Sequence, residues 1–255
     1  MPWNPEIYNQ FKDIRYQPFF DLMELIPGND IQNAVDIGCG TGEQTSLLSK
    51  RFEQTNFLGI DSSEQMLAGS NRFAHDKLGF ELSTIEDFAA SGSKWDLVFS
   101  NAALQWSDDH AALFPKLISK LNTGGHFAIQ MPMQKENILN KILLQLVREQ
   151  PFGSFLDGFY RDSPVLPIDD YAKIMFSCGL VNLSIAVKVY PIIASAETEL
   201  YNFISGSALI PYLERLDPQQ QELLKSEFLK RIEDQFEPFP AIYSFKRLLL
   251  YGSKK

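Results

Sequence analysis

The chain has 255 residues, 45% apolar, 13% aromatic and 22% charged. These values belong to a folded protein with a buried core and exclude a disordered tail. With 23 basic against 32 acidic residues the net charge is −9, which opposes nucleic-acid phosphates and anionic lipid, so neither partner is expected. Two cysteines, Cys39 and Cys178, make neither a disulfide framework nor a zinc cluster. No signal-peptide pattern opens the chain and no apolar run reaches about 18 residues. The expectation is a cytoplasmic protein with free thiols and no bound metal.

In chain order, residues 5–26 space apolar side chains at three and four, which predicts one or two N-terminal helices, with Pro18 marking a break or a fresh start. Pro27 and Gly28 end them. Short apolar runs at 34–37, 56–60, 80–83, 96–99 and 126–131 each precede a helical pattern, the signature of parallel βαβ units. Beyond Pro132 the periodicity predicts helices over 136–149 and 168–178, a strand over 181–190 and a last strand over 243–251. Between those strands, residues 197–237 carry nine acidic and four basic residues and read as a solvated helical cap.

The most informative stretch is Asp36-Ile37-Gly38-Cys39-Gly40-Thr41-Gly42-Glu43. It closes the first strand and opens a helix, where glycines allow close approach of backbone to a ligand. A dinucleotide fingerprint would place glycine at position 43, and the Glu43 carboxylate there would repel a pyrophosphate. The second strand ends in Asp61-Ser62-Ser63, which sets a carboxylate at the adjacent strand end, able to accept both hydroxyl protons of a ribose. The plainer alternative is that Asp61 or Ser62 caps the following helix. Met66 and Ile85 either sandwich a flat ring or simply pack in the core.

Asp-x-Gly-x-Gly-x-Gly resembles the first motif of class I S-adenosylmethionine-dependent methyltransferases. With Trp3-Asn4-Pro5-Glu6-Ile7-Tyr8, Asn101-Ala102-Ala103-Leu104-Gln105-Trp106, Ile129-Gln130-Met131-Pro132 and Phe245-Lys246-Arg247-Leu248, the chain resembles the trans-aconitate methyltransferase family nearly end to end. The resemblance implies an α/β, Rossmann-like fold: a seven-stranded, mostly parallel sheet with helices on both faces and a helical cap. It implies one domain over residues 1–255, with helices 1–26 and an insertion 195–237 as a lid. S-adenosylmethionine becomes the cofactor and S-adenosylhomocysteine its product. The implied cofactor set is Tyr8, Asp36, Gly38, Cys39, Gly40, Gly42, Asp61, Ser62, Met66, Thr84, Ile85 and Asn101. Thr84 stands where the family commonly carries an aspartate for the adenine amino group. The acceptor side is Arg15, Gln105 and Trp106, while Gln17 and Ile210 occupy positions where further arginines are expected.

Lys246 and Arg247 read either as added positive charge at the site or as an exposed pair on a strand edge. The implied reaction is methyl ester formation on a small carboxylic acid, trans-aconitate-like or more apolar, the latter suggested by Phe152, Phe155, Phe159, Tyr160 and Tyr212. A carboxylate is already ionised at neutral pH, so positioning replaces a catalytic base. The alternatives are methyl transfer to a phenol or amine, with His110 as a base, and a silent S-adenosylmethionine-binding regulatory protein. The sequence leaves the oligomeric state open.

Overall fold

A computed structural model describes residues 12–28 and 30–255, apart from the side chains of Lys12, Asp13 and Arg15. Its strands are β1 (Asn33–Ile37), β2 (Asn56–Asp61), β3 (Leu78–Leu82), β4 (Trp95–Asn101), β5 (Leu121–Pro132), β6 (Leu180–Ala194) and β7 (Ala241–Lys254). They form one sheet in the order β3-β2-β1-β4-β5-β7-β6. The pairs β1–β2, β2–β3, β1–β4 and β4–β5 are parallel, and β7 runs antiparallel to β5. The expected seven-stranded, mostly parallel sheet is thus present. β5 starts earlier than the predicted 126, because residues 121–125 also belong to the strand, with a register shift opposite Trp95 and Leu97.

The chain divides into two compact units. One comprises Gln17–Pro132, Pro164–Lys188 and Arg247–Lys255. Its core joins Phe19, Leu22 and Ile26 to Ala34, Leu48, Phe57, Leu78, Leu97, Phe99 and Ala128, so the helix Lys12–Glu24 buries its apolar side on the sheet face that carries Phe99. The Phe19 and Phe99 rings meet edge to face at 5.8 Å. Pro18 lies inside that helix, which corrects the expected break. Proline removes one donor from the helix ladder, and burial of the flanking apolar side chains outweighs that loss.

The other unit holds Met133–Ser163 and Val189–Lys246 with the described residues up to Tyr16. Its core contains Leu139, Leu143, Leu146, Tyr190, Leu200, Phe203, Leu224, Phe228, Ile232 and Tyr243. The expected insertion forms helices Glu197–Ser205, Ile210–Leu213 and Pro218–Phe236. The last is started by a capping box: Asp217 accepts from Gln219 N and Gln220 N, and Gln220 Oε1 accepts from Asp217 N. Pro218 occupies the first turn, where its missing donor costs nothing. Leu224, Phe228 and Ile232, four apart, form the buried stripe.

Candidate active site

β1 is flanked by β2 on one side and β4 on the other, a switch point where ligands settle at the C-terminal strand ends of such sheets. The glycine loop occupies this place. Gly38 N and Cys39 N donate to Ile60 O at 2.8 and 2.9 Å, stitching the loop to β2. Gly38 has φ +73, and a Cβ there would lie 2.1 Å from the Ala103 Cβ. Gly42, at φ +77, is the N-cap of the helix Glu43–Arg51, and a Cβ there would lie 2.7 Å from the Phe80 ring. Only glycine satisfies either position.

Asp61, half-buried at the end of β2, is the hinge of the site. Its Oδ2 accepts from Gly40 N and its Oδ1 from Ser63 N, both at 2.9 Å. A carboxylate has about four acceptor positions, so two remain for a diol. The cap of the helix Glu64–Leu67 is Ser63, whose hydroxyl accepts from Met66 N at 3.3 Å. This corrects the alternative that Asp61 or Ser62 plays that part. Ser62 is exposed. Asp36 is buried and accepts from Thr45 Oγ1 at 2.7 Å. Burial pushes its carboxyl up to about 7; the Thr45 hydrogen bond opposes the shift and the nearby Asp61 charge adds to it. Burial, with Asp36 and Asp61 close by, also drives the Cys39 thiol far above its ordinary range, so it is inert as a nucleophile.

Met66 is 40% exposed and its methyl lies beside Gly40, which excludes core packing for it. Ile85 is half-buried. Thr84 is the N-cap of the helix Ile85–Ala90: its hydroxyl donates to Asp87 Oδ2 and accepts from Asp87 N, and one lone pair is left over. Asn101 ends β4 and donates from Nδ2 to Gln44 Oε1 at 2.9 Å. Gln105 and Trp106 diverge: Gln105 is buried and Trp106 is 41% exposed, as neighbours on one short helical turn must. Tyr8 lies outside the described residues, as does the side chain of Arg15, whose backbone is helical.

His110 is closed on both sides. Its Nε2 donates to Leu104 O at 2.9 Å, which leaves Nδ1 to accept from the Tyr171 hydroxyl, and that hydroxyl accepts from Leu166 N at 3.1 Å. Burial pushes the imidazole below its ordinary pKa. No lone pair remains for a substrate proton. Phe152 and Tyr212 belong to the core of the second unit, Phe155 packs against it edge to face with Phe152, and Phe159 stacks under Arg215 at 3.8 Å, so packing accounts for four of the five aromatics expected to line an apolar pocket. Gln17 turns to Asp21 on an exposed helix side at 3.2 Å.

The reading of Lys246 and Arg247 as an exposed edge pair is corrected. β7 lies between β5 and β6, Arg247 is 7% exposed, and Lys246 donates to Glu136 O at 3.1 Å. Sequence reasoning also misses Gln44, Thr45 and Ser63, which hold Asn101, Asp36 and Asp61 in place. Their polarity, at the N-cap for Ser63 and in the first turn of the helix for Gln44 and Thr45, is the available signal.

A methyltransferase-domain family matches residues 29–153. A trans-aconitate 2-methyltransferase of Deinococcus radiodurans is 37% identical over 100% of this chain and 99% of its own length. The chain belongs to the trans-aconitate 2-methyltransferase family. One of the same name from Variovorax paradoxus is 31% identical over 98% of this chain and 95% of its own. Among solved structures, YcgJ of Bacillus subtilis superposes with a TM-score of 0.63 at 14% identity, covering 94% of this chain and 99% of that one. The fold is that of class I S-adenosylmethionine-dependent methyltransferases, as expected.

Proposed function

We propose that the protein transfers a methyl group from S-adenosylmethionine to a carboxylate of a small organic acid resembling trans-aconitate, giving a methyl ester and S-adenosylhomocysteine. The end-to-end likeness to proteins named trans-aconitate 2-methyltransferase carries this reading. The donor set suits the cofactor: a glycine loop without side chains, an aspartate with two free acceptor positions, an exposed methionine beside Gly40 and a buried, orphaned Asn101 Oδ1. In this proposal the Gly38, Cys39, Gly40 and Gly42 loop cradles the cofactor, with Asp36 beneath it. Asp61 holds the ribose hydroxyls beside Ser62, and Met66 and Ile85 clamp the adenine. Thr84 accepts from the adenine amino group, and Asn101 with Tyr8 meets the amino-acid end.

The cofactor supplies an electrophilic methyl on a sulfonium. The chain's task is to hold a carboxylate in line with it and keep water away, an arrangement worth about 7–11 kcal/mol of barrier when the geometry is near attack. No base is needed, since a carboxylate acceptor is ionised at neutral pH. A phenol or amine acceptor would need one, and His110 has both nitrogens committed. Arg15, Gln105 and Trp106 are proposed to face the acceptor, with residues 1–26 and 195–237 acting as a lid in a single domain. Protection of those segments from proteolysis by S-adenosylhomocysteine tests the lid.

Incubation with labelled cofactor and a panel of mono-, di- and tricarboxylic acids, phenols and amines should yield a base-labile product from an acid. A base-stable product, or none, sinks the reading. Asp61→Ala removes charged hydrogen bonds of about 1.5–3 kcal/mol each, so calorimetry should show cofactor affinity down by at least about tenfold. Unchanged affinity removes Asp61 from the site.

A further inference from the structure

Gln130 is completely buried, and neither Oε1 nor Nε2 of its amide has a hydrogen-bond partner among the described residues. It sits in β5 between Ile129 and Met131, both fully buried and apolar. Its backbone is satisfied, Ala102 N donating to Gln130 O at 2.9 Å, so the side chain has no part in holding the strand. An apolar side chain of the same shape would be more stable there, because a buried, unpaired amide is destabilising. Asn101 Oδ1 and Gln105 Oε1 are orphaned nearby in the fold, although each of those amides uses its nitrogen. Among the buried amides of the described residues, Gln130 alone has both its oxygen and its nitrogen unserved.

The sheet register brings a cation to the same face. Gln130 pairs with Asn101 across β4 and with Leu249 across β7, and Arg247 pairs with Pro132. Directly paired residues share a face, as do residues two apart in a strand. Asn101, Gln130 and Arg247 therefore project from one face of the sheet, at the C-terminal ends of β4 and β5. Arg247 is buried, so its charge acts in a medium of low dielectric. An amide N–H beside a guanidinium is a donor set for a carboxylate.

Resting on the function proposed above, we propose that Gln130 Nε2 and the Arg247 guanidinium together seat a carboxylate of the acceptor acid. They supply on the sheet what Gln17 and Ile210 do not supply on the helices. Gln130 is completely buried, so the acid reaches its amide only when the side chains packed over it shift.

Gln130→Leu keeps the shape and deletes the amide. The expected result is a melting temperature equal to or above that of wild type, S-adenosylhomocysteine affinity within about twofold by calorimetry, and a KM for the acid raised by roughly 10- to 100-fold, the scale of one hydrogen bond to a charged group. Gln130→Asn, which retains an amide, should recover part of the lost KM. A melting temperature lowered by several degrees with KM unchanged makes the residue structural and overturns the inference. Loss of cofactor affinity equal to the change in KM assigns Gln130 to the cofactor instead, and likewise overturns it. A wild-type protein that esterifies an acid while Gln130→Leu behaves identically refutes this inference alone. A wild type that esterifies none removes the proposed function and this inference with it.

Discussion

Asp36 is fully enclosed at the C-terminal end of β1 with one hydrogen bond, from Thr45. Its carboxyl titrates near 7 rather than 3.8, chiefly because burial disfavours the anion. The fold thus favours the protonated form: this contribution is complete below pH 3.8 and is lost as pH rises through about 7. Asp36→Asn removes the titration and keeps an acceptor for Thr45. At pH 8 the variant should be more stable than wild type by up to about 4 kcal/mol, since the anion's penalty grows by roughly 1.4 kcal/mol for each pH step of one across that window. The gain should vanish near pH 4. Thermal melts across that range check it, and a pH-independent difference would show that Asp36 is ionised throughout. His110 illustrates the opposite limit, a titratable side chain whose two nitrogens are consumed by Leu104 and Tyr171. Its sequence neighbours Asp108 and Asp109 give no hint of Tyr171, which joins it from a helix 61 positions away.

At the scale of elements, the glycine loop was legible because its requirement is local: positive φ, no side chain, and a helix start. What it packs against was not. Gly38 faces Ala103, from the segment after β4, and the contact is tight enough to make Gly38→Ala doubly unfavourable. The left-handed backbone conformation costs about 1–2 kcal/mol and the overlap about 1–3 kcal/mol more, so denaturant melts should show a loss of about 2–5 kcal/mol. Adding Ala103→Gly should return the overlap part and leave the backbone part. If the double variant is no better than the single one, the contact is not the source of the strain. Pro18 is the converse case. Its local preference predicted a break or a fresh helix start, and burial of Phe19 and Leu22 on the sheet overrode it.

At the scale of the molecule, a ligand that binds only the folded chain stabilises it by mass action. S-adenosylhomocysteine at 100 times its Kd should add about 2.7 kcal/mol, or roughly 5–10 °C in melting temperature for a chain of this size. NAD should add nothing, and a shift with NAD alone would reverse the cofactor assignment. The amino-acid sequence by itself determined the strand and helix alternation, the glycine loop, Asp61 at the adjacent strand end and the family to which the whole pattern belongs. These follow from periodicity, turn chemistry and motifs carried within short windows. Only the tertiary structure decided that β7 enters the sheet between β5 and β6, because strand order is set by long-range pairing that leaves no local mark. That insertion ruled out the exposed-edge alternative for Arg247, burying it and placing it on the face of Gln130. The unserved amide of Gln130 was equally invisible in sequence, since whether a polar side chain is satisfied depends on which strands become its neighbours.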